Sequence, residues 1–106
     1  MSNIFTRRLV GMSPSSASDL VVYTTPASTQ VVVRNILVSN TSGSSQIVQL
    51  FLELAGNTPT VLFETLAANQ VFHLDTRIGL NPGDQLHYRA FGGSSALTIT
   101  GFVFPD

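Results

Sequence analysis

Two histidines, His73 and His87, are the residues of this 106-residue chain best suited to acid–base or metal chemistry. In the run His73-Leu74-Asp75 an imidazole and a carboxylate fall on the same face of an extended strand, because strand side chains alternate with a period of two. A histidine oriented by a carboxylate is a component of base catalysis and of metal sites, and two histidines with one aspartate would make a three-ligand site. His87 and Arg89 share a face in the same way. Same-strand polar pairs are also the ordinary solvated positions of a β-sandwich, and no catalytic pattern accompanies these. No serine stands in a Gly-x-Ser-x-Gly elbow. The chain has no lysine, so it has no P-loop, and no cysteine, which excludes disulfides, thiolate zinc sites and a catalytic thiol. Asp84, in Asn81-Pro82-Gly83-Asp84, is a single carboxylate where calcium takes about six to eight oxygens, so turn capping is its reading. The expectation is a non-enzymatic protein with no catalytic residue, no cofactor and no metal.

The elements that would carry these residues are strands. From Leu20 onward, short β-branched and aromatic runs are separated by turn residues about every eight to twelve positions, as in a sandwich or barrel. The runs are Leu20 to Thr25, Gln30 to Asn40, Gln46 to Leu54, Thr60 to Leu66, Gln70 to Ile78, Gln85 to Phe91 and Leu97 to Phe104. No helical period competes. Asn81-Pro82-Gly83-Asp84 is the sharpest turn signal: proline presets φ at the second position and glycine accepts the positive φ a type II turn needs at the third. The expected fold is an all-β antiparallel β-sandwich of about seven or eight strands, with jelly-roll-like and immunoglobulin-like connections both open.

Alternation separates the faces. Val48, Leu50, Leu52 and Leu54 oppose Gln49 and Glu53, and Leu86, Tyr88 and Ala90 oppose Gln85, His87 and Arg89. The last run is apolar on both sides, with Leu97, Ile99 and Val103 against Phe102 and Phe104. The long run repeats this: Val31, Val33 and Leu37 occupy one nominal face and Val32, Ile36 and Val38 the other. A strand apolar on both faces is usually covered on both. A second subunit would supply the outer cover, which predicts a homo-oligomer with Phe102, Phe104, Val32 and Ile36 at its interface. The competing reading is that a bulge brings both sets into one core.

Composition points the same way. Charged residues are 10% of the chain, against about 25% in an ordinary soluble domain. The 5 arginines and 6 acidic residues give a net charge of -1, with no positive excess to hold a nucleic acid. The mean hydropathy of +0.29 excludes intrinsic disorder. The apolar runs are broken by Arg34, Asn35 and Ser39 well short of the roughly 20 residues of a helical membrane span. Tyr23, Tyr88 and the phenylalanines could form a sugar-stacking platform, but in a tryptophan-free chain core packing accounts for most of them.

The first eighteen residues read as an extended N-terminal arm, residues 1–18, ahead of a sandwich domain over 19–106. After the Arg7-Arg8 pair the apolar stretch Leu9-Val10 ends at Gly11, too short for the h-region of about 7 to 15 residues in an export signal. Ser13 to Ser18 is a connector of serine, proline and alanine. Ile4, Phe5, Arg7, Arg8 and Leu9 are the candidate partner-docking residues, suited to lie on a neighbour, for instance as an added strand.

Val22-Tyr23-Thr24-Thr25-Pro26-Ala27 leads into a valine-rich strand that closes on Asn40-Thr41. The turn Ser42 to Ser45 and the alternating strand Val48 to Leu54 follow, then Leu80-Asn81-Pro82-Gly83-Asp84-Gln85-Leu86 and Ile99-Thr100-Gly101. This order, from Val22 to Gly101, resembles that of small virion structural proteins of tailed bacteriophages, with their Leu-Tyr-Thr-x-Pro-Ala lead-in and Leu-x-x-Gly-Asp-x-Leu turn. The resemblance implies a virion location and a role as capsid decoration, head fibre or neck and tail accessory. It implies the major capsid or tail and neck proteins of a phage as partners, and the self-association read from the two-sided apolar strands is taken as a trimer. It carries over no chemical residue. The alternative is a carbohydrate-binding or adhesion module using the loops Gly92 to Ser95 and Asn81 to Asp84.

Overall fold

The turn residues end strands in the computed structural model of the chain, which describes residues 5–12, 20–54, 56–92 and 94–105. Eight strands follow in order: β1 (Phe5–Met12), β2 (Leu20–Thr24), β3 (Thr29–Asn40), β4 (Gln46–Glu53), β5 (Thr60–Leu66), β6 (Val71–Leu80), β7 (Gln85–Ala90) and β8 (Ser95–Pro105). They form two antiparallel sheets of four, a first sheet ordered β1-β8-β3-β6 and a second ordered β2-β7-β4-β5. Only β4 and β5 are chain neighbours within one sheet, and every other connection passes from one sheet to the other. That connectivity is a jelly roll, which decides between the two the sequence left open. The turn at Asn81 to Asp84 has the expected form: Gly83 has φ of 88°, Asp84 N donates to Asn81 O at 3.0 Å, and Asp84 Oδ2 accepts from Asn81 N at 2.8 Å.

The inner faces follow the alternation. Val48, Leu50 and Leu52 of β4, Leu86, Tyr88 and Ala90 of β7, and Leu97, Ile99 and Val103 of β8 are buried in one core. β3 departs from strict alternation, and the departure corrects an expectation. Its register against β8 runs Val33 to Gly101 and then Asn35 to Thr100, so Arg34 is an extra residue, a β-bulge. The bulge shifts the parity of everything after it. Val31 and Val33 before it and Ile36 and Val38 after it all point into the same core, each with no exposed surface. Ile36 is therefore not an interface residue: its burial stabilises the fold itself by about 2–3 kcal/mol. Half of the two-sided apolarity of this strand is one face, folded over at Arg34.

The irregularity spans the sheet. β1 slips between Arg8 and Val10 against Thr100 and Ile99, and β6 slips between Asp75 and Ile78 against the bulge in β3. At this level β8 carries Gly101, where a Cβ would overlap the Val32 carbonyl oxygen. A side chain there would force β3 away from β8.

The N-terminal expectation is corrected over residues 5–12. That segment is the edge strand β1, paired with β8 from Phe5 opposite Val103 to Met12 opposite Leu97, and Val10 is 4% exposed in the core. An unpaired β8 edge and two adjacent apolar residues, Leu9 and Val10, are what draw it in. The bulge at Leu9 lets both pack against the core and also hides the strand from a period-two reading. Residues 1–4 and 13–19 of the expected arm lie outside the described residues.

Candidate interaction surfaces

One end of the sandwich is fixed by two buried amides. Asn40 ends β3 and Gln46 begins β4, both on the inner face. Asn40 Nδ2 donates to Ser44 O at 2.8 Å, Leu66 O at 3.0 Å and Ala67 O at 3.1 Å. Its Oδ1 accepts from Ser42 N at 2.9 Å, Ser42 Oγ at 2.7 Å and Gln46 Nε2 at 2.7 Å. Gln46 Nε2 also donates to Ser94 O at 2.7 Å, and its Oε1 accepts from Gly92 N at 3.1 Å. The loops after β3, β5 and β7 are thereby tied to one another. Beside them the buried Tyr88 hydroxyl donates to Ser95 Oγ at 2.8 Å. Burial pushes the pKa of this phenol above its usual value, and the Ser95 bond offsets part of the rise. These loops form a stiff, uncharged rim. The sequence marked Asn40 as a strand end but carried no signal for the network, because nothing in the run from Asn40 to Gln46 shows which carbonyls converge on it.

The outer face of the first sheet is a second surface. Register places Val32 beside Phe102 and Leu37 beside Thr98 and His73. Val32, Phe102 and Phe104 are half-buried here, as the alternation required, while Leu37 is exposed and Val71 is 57% exposed. The Arg34 guanidinium stands 5.9 Å from the Phe102 ring centroid. His73 and Asp75 share this face and lie 3.3 Å apart, Nε2 to Oδ1. Asn35, Leu37, His73, Thr98 and Thr100 line a shallow trough of about 350 Å³.

Of the candidate docking residues, Arg8 is exposed on this face opposite Thr100, with its Cδ 3.2 Å from where a Cβ on Gly11 would stand. Leu9 is corrected from docking to packing, since it is half-buried against the core. Phe5 and Arg7 are described only as backbone of β1, and Ile4 lies outside the described residues.

The outer face of the second sheet is the third surface. Arg89 lies beside Gln49, and Gln49 beside Phe63. His87 lies beside Val21 on one side and Phe51 on the other, its ring centroid 5.1 Å from that of Phe51. Phe63 is 58% exposed, and Val21 and Phe91 are exposed as well. The Arg89 guanidinium packs 5.4 Å from the Phe91 ring centroid, and its Nε is buried with no hydrogen-bond partner. The sequence alone does not single out this patch. The alternation of β4 and β7 labels it the polar side, and only the pairing register brings Phe51 beside His87 and Phe63 beside Gln49, the neighbour of Arg89.

The histidines do not meet. His73 sits on the outer face of the first sheet, whereas His87 sits on that of the second, where its Nε2 is 3.0 Å from Gln85 Oε1. The two-histidine, one-aspartate site is therefore not assembled, and the described residues contain no group of three potential metal ligands.

No family model and no curated protein matches the chain. Solved structures of similar fold do exist. A chain of the T13 infectious bursal disease virus particle aligns with a TM-score of 0.67 and 13% identity, covering 98% of this chain and 31% of that one. A subunit of the Bacillus endospore appendages, which form disulfide-linked pili, aligns at 0.58 and 9% identity over 99% of this chain and 90% of that one. The nucleoplasmin-like N-terminal domain of Drosophila FKBP39 aligns at 0.56 and 12% identity over 100% and 92% of the two chains. The chain spans about a third of the length of the viral chains it matches. At these identities the likeness is one of fold.

Proposed function

We propose that this chain is a non-enzymatic structural protein of a virion, one that associates with copies of itself and attaches to the capsid, neck or tail of a phage. The observation that carries the reading is the exposure of large apolar side chains on both outer faces of the sandwich: Leu37 and Val71 on the first sheet, Val21, Phe63 and Phe91 on the second. The bulge at Arg34 takes Ile36 and Val38 out of this count, and the remaining residues still leave neither face polar. An interface is marked by phenylalanine and arginine together with few other charges, and that is the makeup of these faces. Structures of the same fold come from a virus particle and from pili, which supports the reading. Many modest contacts repeated over a lattice add up to firm attachment.

Attachment to the phage falls to the β1 edge and the residues that precede it. Among the described residues β1 has a strand on one side only, leaving its other side open to strand addition, and it carries Arg7 and Arg8. The test is co-sedimentation of the full chain with particles of the phage that encodes it, comparing wild type with Arg8→Glu. Arg8 is exposed, so the variant keeps the fold, and sedimentation of the free variant checks that its self-association is retained. Loss of particle binding supports the attachment role, and undiminished binding contradicts it.

A further inference from the structure

We infer that copies of this chain stack face to back: the outer face of the second sheet of one copy covers the outer face of the first sheet of the next, with Arg89 of one meeting Asp75 of the other. The inference rests on the self-association proposed above and specifies its geometry. Three observations lead to it.

The first is an unpaired group. Arg89 lies beside Gln49 with its guanidinium 5.4 Å from the Phe91 ring centroid, and its Nε is buried without a hydrogen-bond partner. Its guanidinium has no carboxylate partner among the described residues, and a carboxylate brought onto this face would pair with that charge. The second is the location of such a carboxylate. Asp75 is the acidic residue of the opposite outer face among the described residues, its side chain 77% exposed with His73 Nε2 3.3 Å away, and register sets it beside Asn35. The third is the balance of charge. The first-sheet face carries Arg8, Arg34 and Arg77 against Asp75, so pairing it with itself sets arginine against arginine. The second-sheet face carries Arg89 and Glu53. Face to back, Glu53 meets the arginine-rich surface while Arg89 meets Asp75, and the exposed phenylalanines cover Leu37 and Val71.

Such a contact is heterologous, since each copy uses one face to bind and offers the other to the next copy. It therefore generates a ring if the rotation closes and a filament if it does not.

The test is a charge exchange in the full chain, read by sedimentation velocity. Arg89→Asp and Asp75→Arg should each weaken association by at least about tenfold, the scale of losing one close interfacial charge pair. The double variant should recover most of it. An equimolar mixture of the two single variants should also assemble, because each then offers the face the other needs. Circular dichroism of each variant checks that the fold is intact. If the wild type associates while neither the double variant nor the mixture recovers association, the face-to-back contact is wrong and self-association stands. If the wild type stays monomeric, both fall.

Discussion

Gln46 Nε2 donates to Asn40 Oδ1 at 2.7 Å in the buried end of the sandwich, and through these two amides three loops hold one another in place. Buried side-chain amides are stabilising only when every group is satisfied, and here both oxygens and both nitrogens are. Asn40→Ala removes one member and leaves Gln46 and the Leu66 carbonyl short of partners. It should lower stability by about 3 kcal/mol, measured as a drop in the urea midpoint at unchanged slope. A loss below about 1 kcal/mol would mean that water replaces the amide without penalty.

Tyr88 links stability to alkaline pH. Its folded pKa is raised by burial, so above the ordinary tyrosine value of about 10 the unfolded chain releases this proton while the folded chain keeps it. The stabilisation is complete below that pH and is lost as pH climbs from there through the higher folded value. Tyr88→Phe removes the Ser95 bond, costing about 1 kcal/mol at neutral pH, and should flatten the alkaline loss seen in wild-type thermal melts. An equally steep loss in the variant would assign it to other groups.

Gly101 permits the close approach of β3 and β8 at the line of bulges. Gly101→Ala places a Cβ against the Val32 carbonyl and should cost about 3 kcal/mol. The hydrogen-exchange protection of the β3 and β8 amides should fall more than that of β4 and β7.

Ile36 and Phe102 lie on opposite sides of the first sheet and should separate stability from assembly. Ile36→Ala should cost about 3 kcal/mol of folding free energy and leave the concentration dependence of association unchanged once the protein is folded. Phe102→Ser should do the reverse, with the smaller effect on stability and a loss of association of about tenfold. The same ranking of the two variants in both assays would contradict the division of faces.

Much of the fold could be read from the chain because turn chemistry and period-two alternation are local. The seven runs from Leu20 to Phe104 became β2 to β8 with shifts of a residue or two at their ends, and the Asn81 to Asp84 turn was legible down to its capping aspartate. What could not be read depends on pairing between distant strands. The parity change at Arg34 comes from its register against Gly101 and Thr100, so strict alternation puts Ile36 on the wrong side. β1 reads as an arm because its bulge at Leu9 spoils the alternation. The Arg89 patch stayed hidden for a related reason: Phe51, Phe63 and Phe91 are far apart in the chain, and each alone looks like an ordinary outer residue. The His73 and Asp75 pair was visible because both lie on one strand, two positions apart.

The most direct test of the central claim is the mass of the 106-residue chain in solution, measured by light scattering across a dilution series. A building block that covers its apolar faces with its own copies should give a mass several times 11.3 kDa, falling toward that value only on strong dilution. A constant 11.3 kDa at every concentration would show that both outer faces stay in water, and the assembly role would be contradicted.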